Sequence, residues 1–321
     1  MAAYTIRRLV QGTATVGGVL LFLFVLFFSI ATPDDIARRA VGEKAPPPVL
    51  AQWKVNHGYD RPLLWNREHP TENLLAEHFR RMLTFDFGRS DADDTPIAER
   101  LRAGATPSLL LTIPLFLIDL LLGIGLALMA AFLRGTYVDR LLRVFAVLTM
   151  SIAGVLYIIG TQYVLGKVLR WFPLSGFDQS PSVVARFLMM PIVAGLFTGV
   201  ASNVRYYRTV FLEEVRRDYV RAARARGAGE SRVMLRHVLR NALIPILTNV
   251  VIEIPFLFMG ALLLESFFGI PGLGSMTVDA INANDFATLR TMVYIGSLLF
   301  IVGQILTDLS YALADPRVRL E

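Results

Sequence analysis

Cysteine is absent from all 321 residues, so neither disulfides nor thiolate metal sites can contribute to this chain. Charge is scarce as well. Only 18% of residues are Asp, Glu, Lys or Arg, against 54% hydrophobic and a mean hydropathy of +0.52, which is too much apolar surface for one or two soluble cores. An ordinary cytosolic enzyme is thereby excluded. Histidine is limited to four, and three of them, His57, His69 and His78, are separated by 12 and 9 residues, which matches no compact ligand pattern. Single histidines on a wet surface are expected there, and no metal. No internal repeat is evident. No glycine-rich loop ending in Gly-Lys-Ser or Gly-Lys-Thr occurs, so phosphate-cradling chemistry is not expected on this chain.

What is present is a series of apolar runs of about 20 residues, the length that crosses a hydrocarbon layer of roughly 30 Å as a helix. Six are found: Leu9 to Thr32, Ser108 to Phe132, Val144 to Gly166, Phe187 to Val204, Asn241 to Leu264 and Thr291 to Ala314. Their only charges are Asp119, Glu253 and Asp308. Pro114, Pro191 and Pro255 fall inside them, which neighbouring helices in a membrane tolerate by re-satisfying the freed backbone. The fold class expected is all-α, a polytopic membrane protein of six transmembrane helices. The first run, with Arg7 and Arg8 before it and Ser29-Ile30-Ala31 at its end, also fits a secretory signal, but it is long for a signal core. A retained helix is expected.

Lys and Arg in short connections resist translocation and so set orientation. They gather on one side, at Arg7 and Arg8, at Arg134, Arg140 and Arg143, between Arg205 and Arg240, and at Arg317 and Arg319. Both termini and the 205–240 loop are therefore expected in the cytoplasm. Residues 1–32 form the first helix, 33–103 an extracytoplasmic cap, and 104–321 a five-helix core. The cap opens with the turn formers Thr32-Pro33-Asp34-Asp35, and Pro46-Pro47-Pro48 reads as a stiff extended piece. Trp53, Tyr59 and Trp65 are its expected aromatic anchors.

The net charge of +6 belongs to one segment. Residues 205–240 carry ten Arg against Glu213, Glu214, Asp218 and Glu230, and the remainder of the chain is neutral. Within it, Asp218, Tyr219, Val220, Arg221, Ala222, Ala223, Arg224, Ala225 and Arg226 are predominantly good helix formers, stopped by Gly227. A second helix starts near Glu230 and runs into the fifth span. Ala222 and Ala223 are expected to put only methyl groups on one face, where another surface can approach closely. The alternative is a basic loop resting on anionic lipid headgroups. Nucleic acid is not expected as a partner, because aromatic residues are not interleaved with the arginines.

The pattern Ala222-Ala223, three residues, Gly227, in the last long cytoplasmic loop, resembles the EAA loop of ABC importer permeases. The stretch 218–227 followed by Arg236-His-Val-Leu-Arg-Asn-Ala-Leu-Ile-Pro245 is similar to the dipeptide, oligopeptide and nickel branch. Further blocks agree with that branch in chain order: Tyr4-Thr-Ile-Arg-Arg-Leu9, Phe85-Asp-Phe-Gly88, Glu265-Ser-Phe-Phe-Gly-Ile-Pro-Gly-Leu-Gly274 and Asp308-Leu-Ser-Tyr-Ala-Leu-Ala-Asp-Pro-Arg317. Arg221 stands where the broad consensus has Glu, and His237 and Arg240 stand at hydrophobic and proline positions, departures usual in the peptide branch. The large loop after the first span resembles that of the first, B-type permease of such systems.

This resemblance implies a bacterial inner-membrane permease that pairs with a second, homologous permease. It also implies two cytoplasmic ATPase subunits, bound through residues 218–227, and an extracytoplasmic substrate-binding protein. It places no cofactor on this chain, with ATP and Mg on the partner subunits, and it makes the chain a non-catalytic part of a peptide importer. Pro271, Gly272 and Gly274 in the external loop after the fifth span are residues that tight turns need for backbone reasons alone; by the resemblance they would, with Glu265, form a loop that turns back toward the path as an outer gate.

A charge at bilayer depth costs at least about 2.5–3.5 kcal/mol unless it finds water or a partner. Asp119 and Glu253 are accordingly expected either to line the path, meeting an amine or a cation, or to tie helices together. Pro255, just after Glu253, is expected to loosen the fifth span into a hinge. Asp308 is assigned to packing. Three other functions remain open on the sequence alone: a secondary transporter or channel using Asp119 and Glu253, nickel or metal-chelate import by the same ABC architecture, and a membrane-anchored scaffold whose cap recruits partners.

Overall fold

The computed structural model describes residues 2–64, 66, 72–180 and 182–314, with side chains from residue 10 to residue 307. The described residues are helical, with one isolated bridge pairing Arg89 and Pro96. Five stretches are long and apolar enough to cross a membrane: Val10–Ile30, Ile97–Phe132, Val184–Val215, Glu230–Phe268 and Phe286–Thr307. They belong to α1 (Ala2–Ile30), α5 (Ile97–Phe132), α8 (Val184–Val215), the series from α10 (Glu230–Arg232) to α12 (Leu262–Phe268), and α14 (Phe286–Ala314).

The expected third span, Val144 to Gly166, is not one helix. It is divided between α6 (Tyr137–Met150) and α7 (Gly154–Thr161) with its π-helical extension to Val168, which meet at 94°. The break needs no proline. Ser151 turns its hydroxyl back onto the Val147 carbonyl at 2.8 Å, and the Tyr157 hydroxyl donates to the Thr149 carbonyl at 3.0 Å, so polar side chains satisfy backbone acceptors at the corner. The fifth expected span is likewise interrupted. α11 (Leu239–Glu253) tightens into a 3₁₀ turn over Ile254–Met259, stops at Gly260, and resumes as α12.

Helix α5 starts at Ile97, within the stretch 33–103 expected as the cap. With 36 residues it is about 54 Å long at 1.5 Å per residue, far beyond the bilayer core. The cap itself holds α2 (Pro33–Val41), α3 (Pro47–His57) and α4 (Leu74–Leu83). Both proline-bearing segments expected as turn or extended pieces are helix starts. Thr32 caps α2 through a reciprocal pair of bonds with Asp35, and Pro33 and Pro47 occupy first-turn positions, where the missing N–H costs nothing.

The cap is seated on α1 and α14 by Leu20, Leu23, Phe24, Phe27, Tyr59, Leu74, Met82, Phe286 and Tyr294. Trp53 stacks on Tyr59 at 5.6 Å and on His57 at 4.0 Å, while Trp65 and His69 lie outside the described residues. A polar latch completes the junction. Asp285, 1% exposed, accepts from the Ser90 hydroxyl (2.5 Å), the Asp91 amide (3.1 Å) and Thr288, while Asp91 accepts from the Ala287 amide at 2.8 Å and from the Tyr59 hydroxyl. Arg290 donates to that hydroxyl at 2.5 Å. Burial pushes the Tyr59 phenol and the Asp91 carboxyl above their usual ranges.

His78, expected on a wet surface, is buried in this seat with Nε2 3.2 Å from the Leu20 carbonyl. Burial, helped by the charge of Arg290, holds its pKa down at about 4. The imidazole is therefore neutral in the folded protein, and the unfolded chain takes up its proton first as pH falls. The seat should be at full strength above pH 6.5 and weaken between 6.5 and 4, by up to about 3 kcal/mol. The protection factors of amides over residues 74–83, which correct for the intrinsic slowing of exchange in acid, should fall from pH 7 to pH 5, and His78→Gln should remove most of that dependence.

Candidate functional site

The charged loop folds as expected into a short helix, α9 (Asp218–Ala225), closed by Gly227 at φ +81°. The Gly227 amide donates to the Arg224 carbonyl at 2.9 Å and the Ala228 amide to the Ala223 carbonyl at 3.2 Å. Nothing surrounds Gly227 within 4 Å of where a Cβ would stand, so its requirement is for the backbone angle alone. The expected two-methyl face is not formed. Adjacent residues on a helix point about 100° apart, and Ala223 turns inward with Val220 while Ala222 is exposed.

Val220 and Ala223 pack into a core built from Tyr207 and Phe211 of α8, Met234 and Val238 of the π-helical turn Val233–Val238, and Ala242, Ile246 and Val250 of α11. The outward stripe is Asp218, Arg221, Ala222, Ala225 and Arg226, at helical spacing. Arg224 is engaged with Glu230 through two bonds of 3.0 and 2.5 Å, which ties α9 to the next helix. Tyr219 donates to Glu214 at 2.5 Å, and burial together with that carboxylate pushes its phenol up to about 12. Arg208, one of the ten arginines of residues 205–240, is paired as well. It forms a paired bond at 2.9 and 3.1 Å with Asp139, which is 1% exposed at the start of α6. The sequence shows Asp139 only as a loop acid 69 residues away.

At the other end of the long bent span, Glu265 is fully buried and accepts four hydrogen bonds. Oε1 receives the Ser108 hydroxyl of α5 (2.8 Å) and the Ala261 amide (2.9 Å); Oε2 receives the Gly274 (2.7 Å) and Ser275 (3.1 Å) amides at the start of α13 (Leu273–Ala283). Those last two donors are the free N–H groups of a helix N-terminus, where negative charge is favoured. Gly260 and Gly272 press against the carboxylate so closely that a Cβ on either would overlap it. Pro271 stands exposed on the turn before Gly272. The sequence singles out Glu265 but not its partner Ser108.

Asp119 lies on the continuous helix α5, and Glu253 and Pro255 lie on the interrupted fifth span; α5 and α11 both pack on α8. Asn203 of α8 donates to Asp119 Oδ2 at 2.5 Å, and Asn249 donates to Glu253 Oε1 at 2.9 Å within α11. Tyr207 of α8 packs against both elements, its ring 3.1 Å from where a Cβ on Gly123 of α5 would stand and in one core with Ile246 and Val250 of α11. Pro255 is buried in the 3₁₀ turn and faces α14, where a Cβ on Gly303 would meet its ring at 3.1 Å. Asp308 lies on α14, but its side chain is outside the described residues.

A bundle of long apolar helices, with a basic helix docked on the ends of two spans and a carboxylate-stapled reversal, defines a membrane permease. Over residues 123–320 the chain matches the family described as binding-protein-dependent transport system inner membrane component. It is 30% identical to the probable peptide ABC transporter permease protein y4tP of Sinorhizobium fredii, over 99% of this chain and 100% of that protein. It is also 31% identical to the glutathione transport system permease protein GsiC of Salmonella typhimurium, over 99% of each. The chain belongs to this family of multi-pass inner-membrane permeases, whose members work with ATPase and substrate-binding components.

The staple can be tested directly. Glu265→Ala strands four donors, each worth about 1–3 kcal/mol when buried unpaired, and Gly272→Ala drives a methyl into the carboxylate. Both should lower thermal stability of the solubilised protein by more than about 3 kcal/mol. Ser108→Ala should cost less. A melting point for Glu265→Ala equal to the parent would refute the assignment.

Proposed function

We propose that this chain is the B-type permease subunit of a peptide importer, pairing with a second homologous permease and resting on two ATPase subunits. The observation that supports this most directly is the geometry of α9. Its outer stripe of Asp218, Arg221, Ala222, Ala225 and Arg226 is open, while its inner face is built into the same core as the ends of α8 and α11. A partner seated on that stripe would move the spans with it. Tyr219, Ala223, Arg224 and Gly227 hold the helix in place for such a partner.

In this reading ATP and Mg are handled on the partner subunits, and this chain has no catalytic residue of its own. Both termini and α9 face the cytoplasm, and the cap, with the Glu265, Pro271, Gly272 and Gly274 turn, faces the binding protein and forms the outer gate. Asp119 and Glu253 face the path, with Pro255 marking the bend. Peptide is the cargo class favoured by the relatives, one named for peptide and one for glutathione.

Gly227→Val forces a β-branched residue into φ +81° and loosens the end of α9 without a steric clash. The complex should still assemble and retain basal ATP hydrolysis, while binding-protein-stimulated hydrolysis and peptide uptake fall at least tenfold. A double Arg221→Glu, Arg226→Glu variant should instead reduce copurification of the ATPases. Normal uptake by both variants would leave α9 as a lipid-facing loop and remove the proposal.

A further inference from the structure

Asp119 and Glu253, half buried, differ from the fully buried carboxylates of the described residues in what they lack. Asp139 has Arg208, Asp91 and Asp285 have a latch of hydroxyls, amides and Arg290, and Glu265 has four donors. Asp119 and Glu253 each have one neutral amide, from Asn203 and Asn249. Among the described residues, no Lys, Arg or His forms an ion pair with either. Asp119 Oδ1 is buried with no hydrogen-bond partner at all.

Tyr207, with 0% of its surface exposed and a hydroxyl that also lacks a hydrogen-bond partner, packs beside both elements: a Cβ on Gly123, one helical turn after Asp119, would meet its ring at 3.1 Å, and the ring shares a core with Ile246 and Val250 of α11, the helix that ends in Glu253. A buried phenol oxygen and a buried carboxylate oxygen left open together are unusual, because each unpaired polar group costs about 1–3 kcal/mol. The four surrounding side chains, Asp119, Asn203, Asn249 and Glu253, are only half buried, so the group has an open side. That side does not suit lipid, since ionisable groups at membrane depth face a bundle interior or a water-filled cavity.

Two carboxylates, one amide on each, and a phenol oxygen offer acceptors to a compact monovalent cation with several N–H donors. We propose that Asp119, Glu253 and Tyr207 together form a binding site for the ammonium group of the cargo, which rests on the reading of this chain as a peptide permease. The carboxylates supply the attraction, and the phenol oxygen, fixed by burial, accepts the third proton of the ammonium. The site is a waypoint in the path, whose negative charge is compensated while cargo is present.

The test uses the assembled complex in lipid nanodiscs and dicyclohexylcarbodiimide, an apolar reagent that modifies carboxyl groups in membranes. Mass spectrometry follows the rate of modification at Asp119 and Glu253. Ethylammonium and trialanine should slow it at least tenfold, and N-acetyl-trialanine should not. In Asp119→Asn, Glu253 should still be modified but protection should fall below twofold; Tyr207→Phe should weaken protection several-fold. The site is overturned if neither carboxyl is modified, if ammonium compounds give no protection, or if the acetylated peptide protects as well as the free one. Uptake of trialanine by the parent complex is measured alongside. Protection by ethylammonium without peptide uptake would keep the site and remove the peptide reading, and uptake without protection would do the reverse.

Discussion

The fold depends on one buried carboxylate. Where α11 runs out, the chain abandons helical geometry at Gly260 within a stretch apolar enough to span a bilayer, and a hydrocarbon surrounding cannot solvate the amides released there. Glu265 collects those amides from three directions: Ala261 behind it, Gly274 and Ser275 ahead of it, and the Ser108 hydroxyl across from α5. Ser108 in turn accepts the Leu273 amide at 2.8 Å, so the staple joins α5, α12 and α13 in one network. Glycine at 260 and 272 is a consequence, because the carboxylate occupies the space a side chain would need.

The opposite end is organised by apolar packing. α9 has no side-chain cap and only eight residues, too few to be stable alone, and is held by Val220 and Ala223 against α8 and α11. α11 is therefore shared between the two ends. Its first turns pack with α9, and its last residue leads through the Pro255 turn to the Glu265 network. If force enters at α9, α11 is the connected element that carries it, and the 3₁₀ turn at 254–259 is where its backbone bonding is least regular.

Much of this is legible in sequence wherever the signal is local. Long apolar runs announce spans by the absence of charge, and a glycine after a run of helix formers announces the end of α9. Features that depend on a distant partner are not legible. The pairings of Ser108 with Glu265 and of Arg208 with Asp139 join residues 157 and 69 positions apart. The 94° corner in the third run lies in a segment apolar on both sides, so composition cannot mark it. The prolines at 33 and 47 look like breakers, yet proline is equally suited to a first helical turn, and the hydrogen bonding at each helix start decides between the two. Ala222 and Ala223 suggest one face because small residues adjacent in sequence look alike; the inward neighbours Tyr207 and Phe211 decide which of them is buried.

Intramembrane carboxylates in this chain are thus separated by their partners and not by their depth. Glu265 sits against four donors in a closed site with no exposed surface, and nothing further could bind it without breaking the turn it holds. Asp119 and Glu253 keep an open side, and an Asp119 oxygen and the Tyr207 hydroxyl have no hydrogen-bond partner. A carboxylate selected only for packing is readily replaced by an apolar side chain of similar volume, since burying an ion costs several kcal/mol that a lone amide does not return. Two such groups from different spans, both supplied with one neutral donor and no cation, are costly as packing and well suited to a site that a passing charge completes. By the same criterion the buried acid of the cap latch, Asp285, belongs with Glu265, because its bonds are already full.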